Sequence, residues 1–563
     1  MKHWAIGLGL AMVPGCYAGI PTGGDDPSGM PDTDGASGGS SGGDADDAGT
    51  DDGQTGGEDP PGTADCAMGP QVAAETLVRL TQAQYDATVR DLVGVDASVA
   101  RTGFSADVRL DQDPETPFVE GAPVTALVAK QLMLGAETIS AQVDVPAVSN
   151  CDGGEACVEA FLTDISTRGF RRPATTDELD VLRSIYDAEP SHDAGVRAVV
   201  EAVLQSPSFI YLILPDTSGA QPGDVVALDD WSLASRLSYF AWGTMPDAAL
   251  FDAAASGSLS TEEGLAAQLD RLLADPRAEE GVRGFYDAVL ELERIATLTK
   301  APESYPDFTT EIADDLHTSL WTALRALHFE DDGTLGDLAA GLPLYANDRL
   351  AAYYGLPPGP GEAFEPVLDA GGVLAHPGMA ALLAKPTESA IVERGVFVRA
   401  ALLCNPLPPP PPEVEAELPE GGDWDSPRER FEEHRADPSC AGCHDLIDPI
   451  GYAMETLDGD GRARTEYPSG VAVDPSGELL LGSDTQSFET LSELEAIIGG
   501  SEAFESCMVD HWLAYATRRV PGALDACAHD DIAAATREAG GSVETLLRAT
   551  VLSEGFRYVM VTE

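Results

Sequence analysis

Five consecutive residues, Cys440-Ala441-Gly442-Cys443-His444, constrain this chain more than any other feature of its sequence. Two thiols three positions apart sit on one side of a helical turn, and the adjacent imidazole projects from that same turn. Such a turn offers two sulfur nucleophiles and a nitrogen ligand to one flat group, which is the attachment pattern of a c-type haem. The expectation is covalent haem c on Cys440 and Cys443, with His444 as an iron ligand. Two other chemistries use paired thiols. A structural zinc site needs a second Cys/His pair at ligand spacing, and none is evident. A redox-active CxxC disulfide of the thioredoxin kind belongs in a strand-then-helix setting, and no such pattern surrounds this run.

The sixth ligand is open. His434, Met454, Met508 and His511 are the candidates, and each also reads as an ordinary core or surface residue. Methionine would raise the reduction potential relative to histidine. A vacant sixth position would point to ligand binding or peroxide chemistry.

Charge removes whole classes of partner. Lys+Arg total 32 and Asp+Glu total 96, a net charge of -64. Nucleic-acid binders need the opposite sign, because phosphate neutralisation supplies most of their affinity. Nucleic acid is therefore excluded, and anionic membrane surfaces with it. Apolar residues make up 43% and aromatics 6%, so cores of Ala, Leu and Val are expected.

Residues 1–16 read as a signal peptide. Lys2 gives a short basic start, and Trp4 to Val13 form an apolar run too short to span as a mature helix. Val13-Pro14-Gly15-Cys16 resembles a bacterial lipobox, which makes Cys16 a lipidated residue and a lipid anchor the expected contact with a membrane. Pro14 is unusual there, and a cleaved signal with an incidental cysteine is the alternative. Residues 17–65 are dominated by Gly, Ser, Asp, Thr and Pro, with no Lys or Arg, and read as a disordered acidic tether. The expected location is the periplasm or cell surface.

With Cys16 and the 440/443 pair set aside, Cys66, Cys151, Cys157, Cys404, Cys507 and Cys527 remain, an even number that suits disulfides in an oxidising compartment. Proximity in sequence suggests Cys151 with Cys157 and Cys507 with Cys527, leaving Cys66 with Cys404.

Along the rest of the chain, 3.6-residue periodicity predicts helices at 77–94, 124–142, 155–167, 175–188, 191–205, 229–240, 261–274, 277–293, 307–329, 346–354 and 388–403. Thr81 with Gln84 makes a capping box for the first. A proline run, Pro406 to Pro412 broken by Leu407, is a stiff spacer before the CxxCH segment. Turn-rich sequence from Asp458 to Ser483, with Val471 and Val473 alternating, suggests a small hairpin. Asp458-Gly459-Asp460-Gly461 lacks the later ligands of a calcium loop and reads as a turn. Helices resume at 491–498, 503–518 and 529–551. There is no HExxH, no Walker loop and no GxSxG nucleophile elbow, since GxSxG strings fall only within the Gly/Ser tether at 35–43.

Several runs also carry a resemblance. They are Leu80-Thr81-Gln82-Ala83-Gln84-Tyr85 through Gly94, Gly169-Phe170-Arg171-Arg172-Pro173, Ser206-Pro207-Ser208-Phe209, and Ser235-Arg236-Leu237-Ser238-Tyr239-Phe240. Further on come His376-Pro377 through Arg394-Gly395, Leu403-Cys404, His434 through Asp448-Pro449-Ile450-Gly451, and Phe504 to Arg519 with Cys507. In this order they resemble exported bacterial proteins built from domains of unknown function 1587, 1595, 1592, 1588 and 1585. The resemblance implies domains at 66–150, 151–215, 216–360, 361–475 and 476–563 respectively. It places the CxxCH run within the family pattern and raises His434 as a ligand or structural residue. Met454 stands where relatives have Leu, which lowers it as a sixth ligand. No catalytic residue is implied.

The expected fold is mainly α, a helical body of several segments with a small β hairpin near the cytochrome-c-like haem segment. Three functions fit: electron transfer with an unidentified redox partner, a haem-dependent oxidase or peroxidase acting on an extracellular compound, and a non-haem binding or scaffold lipoprotein.

Overall fold

The structure is a computed structural model that describes residues 66–562, except 68, 75–76, 97, 111–115, 213–218, 358, 360, 409–423 and 437. The expected signal peptide, Cys16 and the tether lie outside the described residues.

The chain is mainly α, with small two-stranded sheets. The helices named below are α1 Gln82–Val93, α2 Thr176–Asp187, α3 Thr310–Phe329, α4 Ile391–Phe397, α5 Pro427–Arg435, α6 Pro438–Ala453, α7 Glu502–Thr517, α8 Ala526–Glu538 and α9 Val543–Leu552. The strands are β1 Val225–Ala227, β2 Leu342–Ala346, β3 Glu365–Gly371, β4 Gly477–Leu481, β5 Asp484–Phe488 and β6 Tyr558–Met560. Among the described residues, no helix is long and apolar enough to cross a membrane.

Local chemistry sets the helix ends. Thr81 caps α1, accepting from the Gln84 N–H while the Gln84 side chain accepts from the Thr81 N–H. Thr175 and Glu178 repeat the device at α2. Each such cap is worth about 1 kcal/mol. Gly94 ends α1 at φ 71°, a left-handed conformation open to a residue without a Cβ. α8 and α9, expected as one helix, are separated by Gly540 and Gly541 at φ 70° and 83°.

One continuous apolar core runs from Leu80 to Val559. Near its centre Phe285 stacks on Trp512 of α7 with ring centroids 3.6 Å apart. Burying an aromatic ring of this kind contributes about 1.5–3 kcal/mol. β1 pairs antiparallel with β6, so the chain's C-terminal strand closes on a segment more than half the chain earlier.

All six expected disulfide cysteines are bonded, but two of the three pairings differ from proximity. Cys151 pairs with Cys157 as expected, whereas Cys66 pairs with Cys527 and Cys404 with Cys507. Folding brings α7 beside the end of the α4 segment, and sequence distance carries no information about that contact.

The hairpin lies later than expected. β4 and β5 pair through Gly477↔Phe488 to Leu481↔Asp484, and Val471 and Val473 fall outside both strands. Val471 and Val473 lie instead about an isolated antiparallel bridge of Glu466 with Ala472, and the loop before it is held by carboxylates. Asp458 accepts from the Tyr305 hydroxyl at 3.0 Å, and buried Asp460 accepts from the Tyr353 hydroxyl at 2.7 Å. The Asp458–Gly461 turn closes with Gly461 N–H donating to Asp458 O at 3.0 Å.

Candidate functional site

The CxxCH run occupies the first turns of α6. Cys440, Cys443, His444 and Ile447 share one face of that helix, at spacings of three and four residues. Beyond the CxxCH run, α6 is pressed against α4 by an exchange of glycines. A Cβ on Gly395 would stand 2.2 Å from the Ile447 carbonyl oxygen, and one on Gly451 would stand 2.2 Å from the Ile391 carbonyl oxygen. The two backbones meet at a distance that no side chain tolerates. α5, begun by Ser426 accepting from the Glu429 N–H, lies against α6 on another side and carries Phe431 and His434.

Between these helices opens a cleft of about 1200 Å³. Cys440, Cys443, His444 and His434 all line it, with aliphatic Ile391, Val396 and Ile447 and aromatic Phe431, Trp424 and Tyr467. The far end is polar. There Arg464 donates to Glu455 at 2.6 Å and to Asp458 at 2.8 Å. Beneath it Arg394 and Glu455, both with fully buried side chains, form an ion pair at 2.9 Å. Burial raises the Tyr305 and Tyr467 phenols above their ordinary range, and the neighbouring carboxylates Asp458 and Glu455 add to the effect.

The donor set fits a haem. Cys440 and Cys443 stay outside the three disulfides. His444 Nδ1 lies 2.9 Å from Asp448 Oδ1, so Nδ1–H donates to the carboxylate and Nε2 is left to bind a metal. Three cations, Lys385, Arg430 and Arg464, line the cleft, where Lys385 pairs with Glu388 and Arg464 with Glu455 and Asp458. A zinc ion fits less well. Among the described residues, groups of three or more His, Cys, Asp or Glu with converging ligand atoms are Cys404–Cys507–His511 and Cys151–Asp152–Cys157, and each contains a disulfide. The CxxCH donors border a cavity rather than meet at a point.

The four proposed sixth ligands separate. His434 lines the cleft, and its ring centroid is 4.8 Å from that of His444 at an interplanar angle of 81°. Met454 and Met508 are 0% and 1% exposed and pack in the core. His511 is buried, donates from Nε2 to Ala401 O at 3.0 Å, and lies beside the Cys404–Cys507 disulfide, with its pKa pushed down to about 4 by burial. None of these last three lines the cleft.

Asp448 was not singled out from sequence. Its carboxyl is wholly buried, and burial raises its pKa against the opposing effect of the bond from His444. The signal was present: an acid one helical turn beyond a candidate ligand histidine is placed to orient that imidazole.

Four family descriptions match the chain in succession. They are protein of unknown function (DUF1595) at residues 157–213, (DUF1592) at 228–356, (DUF1588) at 370–467 and (DUF1585) at 484–556. The 370–467 match contains α4, α5, α6 and all of the CxxCH run. No curated protein and no solved structure matches the chain. With all four domains in this order, the chain belongs to the multidomain family built from these domains of unknown function.

Proposed function

We propose that the protein is an exported c-type haem protein that transfers electrons at the cell surface or in the periplasm. The observation that carries the reading is that both thiols of the CxxCH run and the His444 ring line one large cleft. In attachment, each thiol adds across a vinyl group: sulfur bonds to one vinyl carbon and the thiol hydrogen passes to the other. A haem held here supplies one-electron chemistry. The chain's own part is to present Nε2 of His444 from α6, pack Phe431 and Ile447 against the ring, and set cations at the polar end. Export as a lipoprotein through Cys16, to an as yet unidentified redox partner, is supported by the three disulfides, which persist in oxidising compartments. Residues 66–150 take the place of the 1587-type domain that precedes the others in the resemblance.

A second reading, a haem-dependent oxidase or peroxidase, is favoured by one distance. The His434 and His444 centroids are 4.8 Å apart and nearly perpendicular, so His444 would hold the group alone unless His434 moved to admit it between the two rings.

The test is a pyridine haemochrome spectrum of the chain expressed with cytochrome c maturation machinery, with Cys440→Ala/Cys443→Ala as control. A c-type band lost in the control supports covalent haem. A six-coordinate low-spin spectrum then favours electron transfer, and a five-coordinate high-spin spectrum with peroxide reactivity favours the enzyme. A folded wild-type protein without the band returns the chain to the third reading, a non-haem binding or scaffold lipoprotein.

A further inference from the structure

Resting on the haem reading, we infer that Asp448 is the positioning residue of the iron ligand: it fixes His444 in one tautomer, aims Nε2 into the cleft and holds a bound haem toward its ferric form. The Asp448 side chain is 0% exposed, and Oδ1 accepts from His444 Nδ1–H at 2.9 Å. Oδ2 is buried and has no hydrogen-bond partner. Among the described residues, the imidazole is therefore this carboxyl group's single hydrogen-bond donor. A carboxylate with several donors spreads its charge among them, whereas one with a single donor concentrates it on that proton.

The neighbouring arginines make their ion pairs elsewhere, while Arg435 and His434 remain close enough to act on the Asp448 carboxyl through space. Arg435 pairs with Asp445 at 3.3 Å, and Arg428 lies over the Tyr452 ring at 4.6 Å while pairing with Glu432 and Asp474. Pro449 follows Asp448 inside α6 and has no N–H to give to the carboxyl.

Two effects follow from general chemistry. A carboxylate behind a ligating imidazole sets the ring's orientation and raises its basicity. A more basic, partly anionic ligand stabilises the higher charge on the metal, so the reduction potential falls.

The experiment compares the full-length wild type with Asp448→Asn, both matured with haem, by spectroelectrochemical titration. Asparagine keeps the size of the side chain and removes its charge. The expected result is haem bound in both, with the ferric/ferrous equilibrium of the variant shifted toward ferrous about tenfold or more, which for a one-electron couple is about 59 mV upward. Asp448→Ser gives the same comparison if the Asn variant fails to fold, and Asp448→Glu is expected to recover part of the wild-type potential. An unchanged potential in a variant with full haem content overturns this inference and leaves the haem reading intact. Absence of haem from the wild type overturns both.

Discussion

Arg394 Nη1 lies 2.9 Å from Glu455 Oε1, and neither side chain has any exposed surface. The pair sits directly below the polar end of the cleft. Arg394 also donates to Met454 O at 2.7 Å, and Arg464 reaches the other oxygen of Glu455 at 2.6 Å. Removing one partner leaves an uncompensated buried charge, a loss of about 3–5 kcal/mol. Arg394→Met is therefore expected to lower the urea midpoint strongly. Glu455→Gln, which takes the carboxylate away from Arg394 and leaves Arg464 with Asp458, is expected to cost about as much. Equilibrium unfolding followed by circular dichroism checks both, and a change below about 1 kcal/mol in either variant would refute the role.

The crossing of α4 and α6 gives a second prediction. Gly395→Ala and Gly451→Ala each force a methyl group onto a main-chain carbonyl, and the expected cost is about 1–3 kcal/mol. Because α6 carries the thiols and His444, both variants are also expected to bind less haem per folded protein than the wild type. Gly442→Ala is the control, since nothing lies within 4 Å of a Cβ there. Haem-to-protein ratios of the three variants decide the matter.

Disulfide connectivity is testable by mass spectrometry of an unreduced digest. The expected cross-linked peptides join Cys66 to Cys527, Cys151 to Cys157 and Cys404 to Cys507. A Cys507–Cys527 peptide would contradict the fold around α7 and α8. Cys66→Ala is expected to destabilise by about 2–4 kcal/mol, because the loop it closes is very long.

Glu495 supplies a pH dependence. Its carboxyl is 1% exposed, accepts from the Gly372 and Ala375 N–H groups, and is pushed up to about 7 by burial. A carboxyl whose folded value is raised binds its proton more tightly when folded. Its favourable contribution is complete below the ordinary value near 4.5 and is lost as pH rises toward 7. The expected outcome is stability that declines across that window in the wild type and declines less in Glu495→Gln. Parallel slopes from thermal melts at closely spaced pH would count against it.

Short-range chemistry was legible in the sequence where it was self-contained. The Thr81–Gln84 and Thr175–Glu178 caps form from residues three positions apart, and the thiols and His444 share one helical turn. Readings failed where a distant partner decides. The 77–94 helix begins at Gln82 because the Leu80 N–H donates to Ile210 O, which keeps the preceding residues extended. The helix expected over 388–403 is a short α-helix followed by a π turn over Val398–Leu402, after which Cys404 takes φ 45° to meet Cys507. The His444–Asp448 contact requires α6 to stay helical up to Asp448, the residue before Pro449, where a following proline disfavours helix.

The long-range disulfides impose an order on biosynthesis. Cys404 has its partner 103 residues further on, and Cys66 has its partner 461 residues further on. Cys440 and Cys443 reach any oxidising compartment before either partner does. An oxidant acting before those partners arrive finds Cys440 and Cys443 among the wrong thiols open to Cys66 and Cys404. Capping Cys440 and Cys443 early, as the proposed thioether formation would, removes two wrong partners from the competition. On the haem reading, maturation of the cleft and correct cross-linking of the body would then be one schedule.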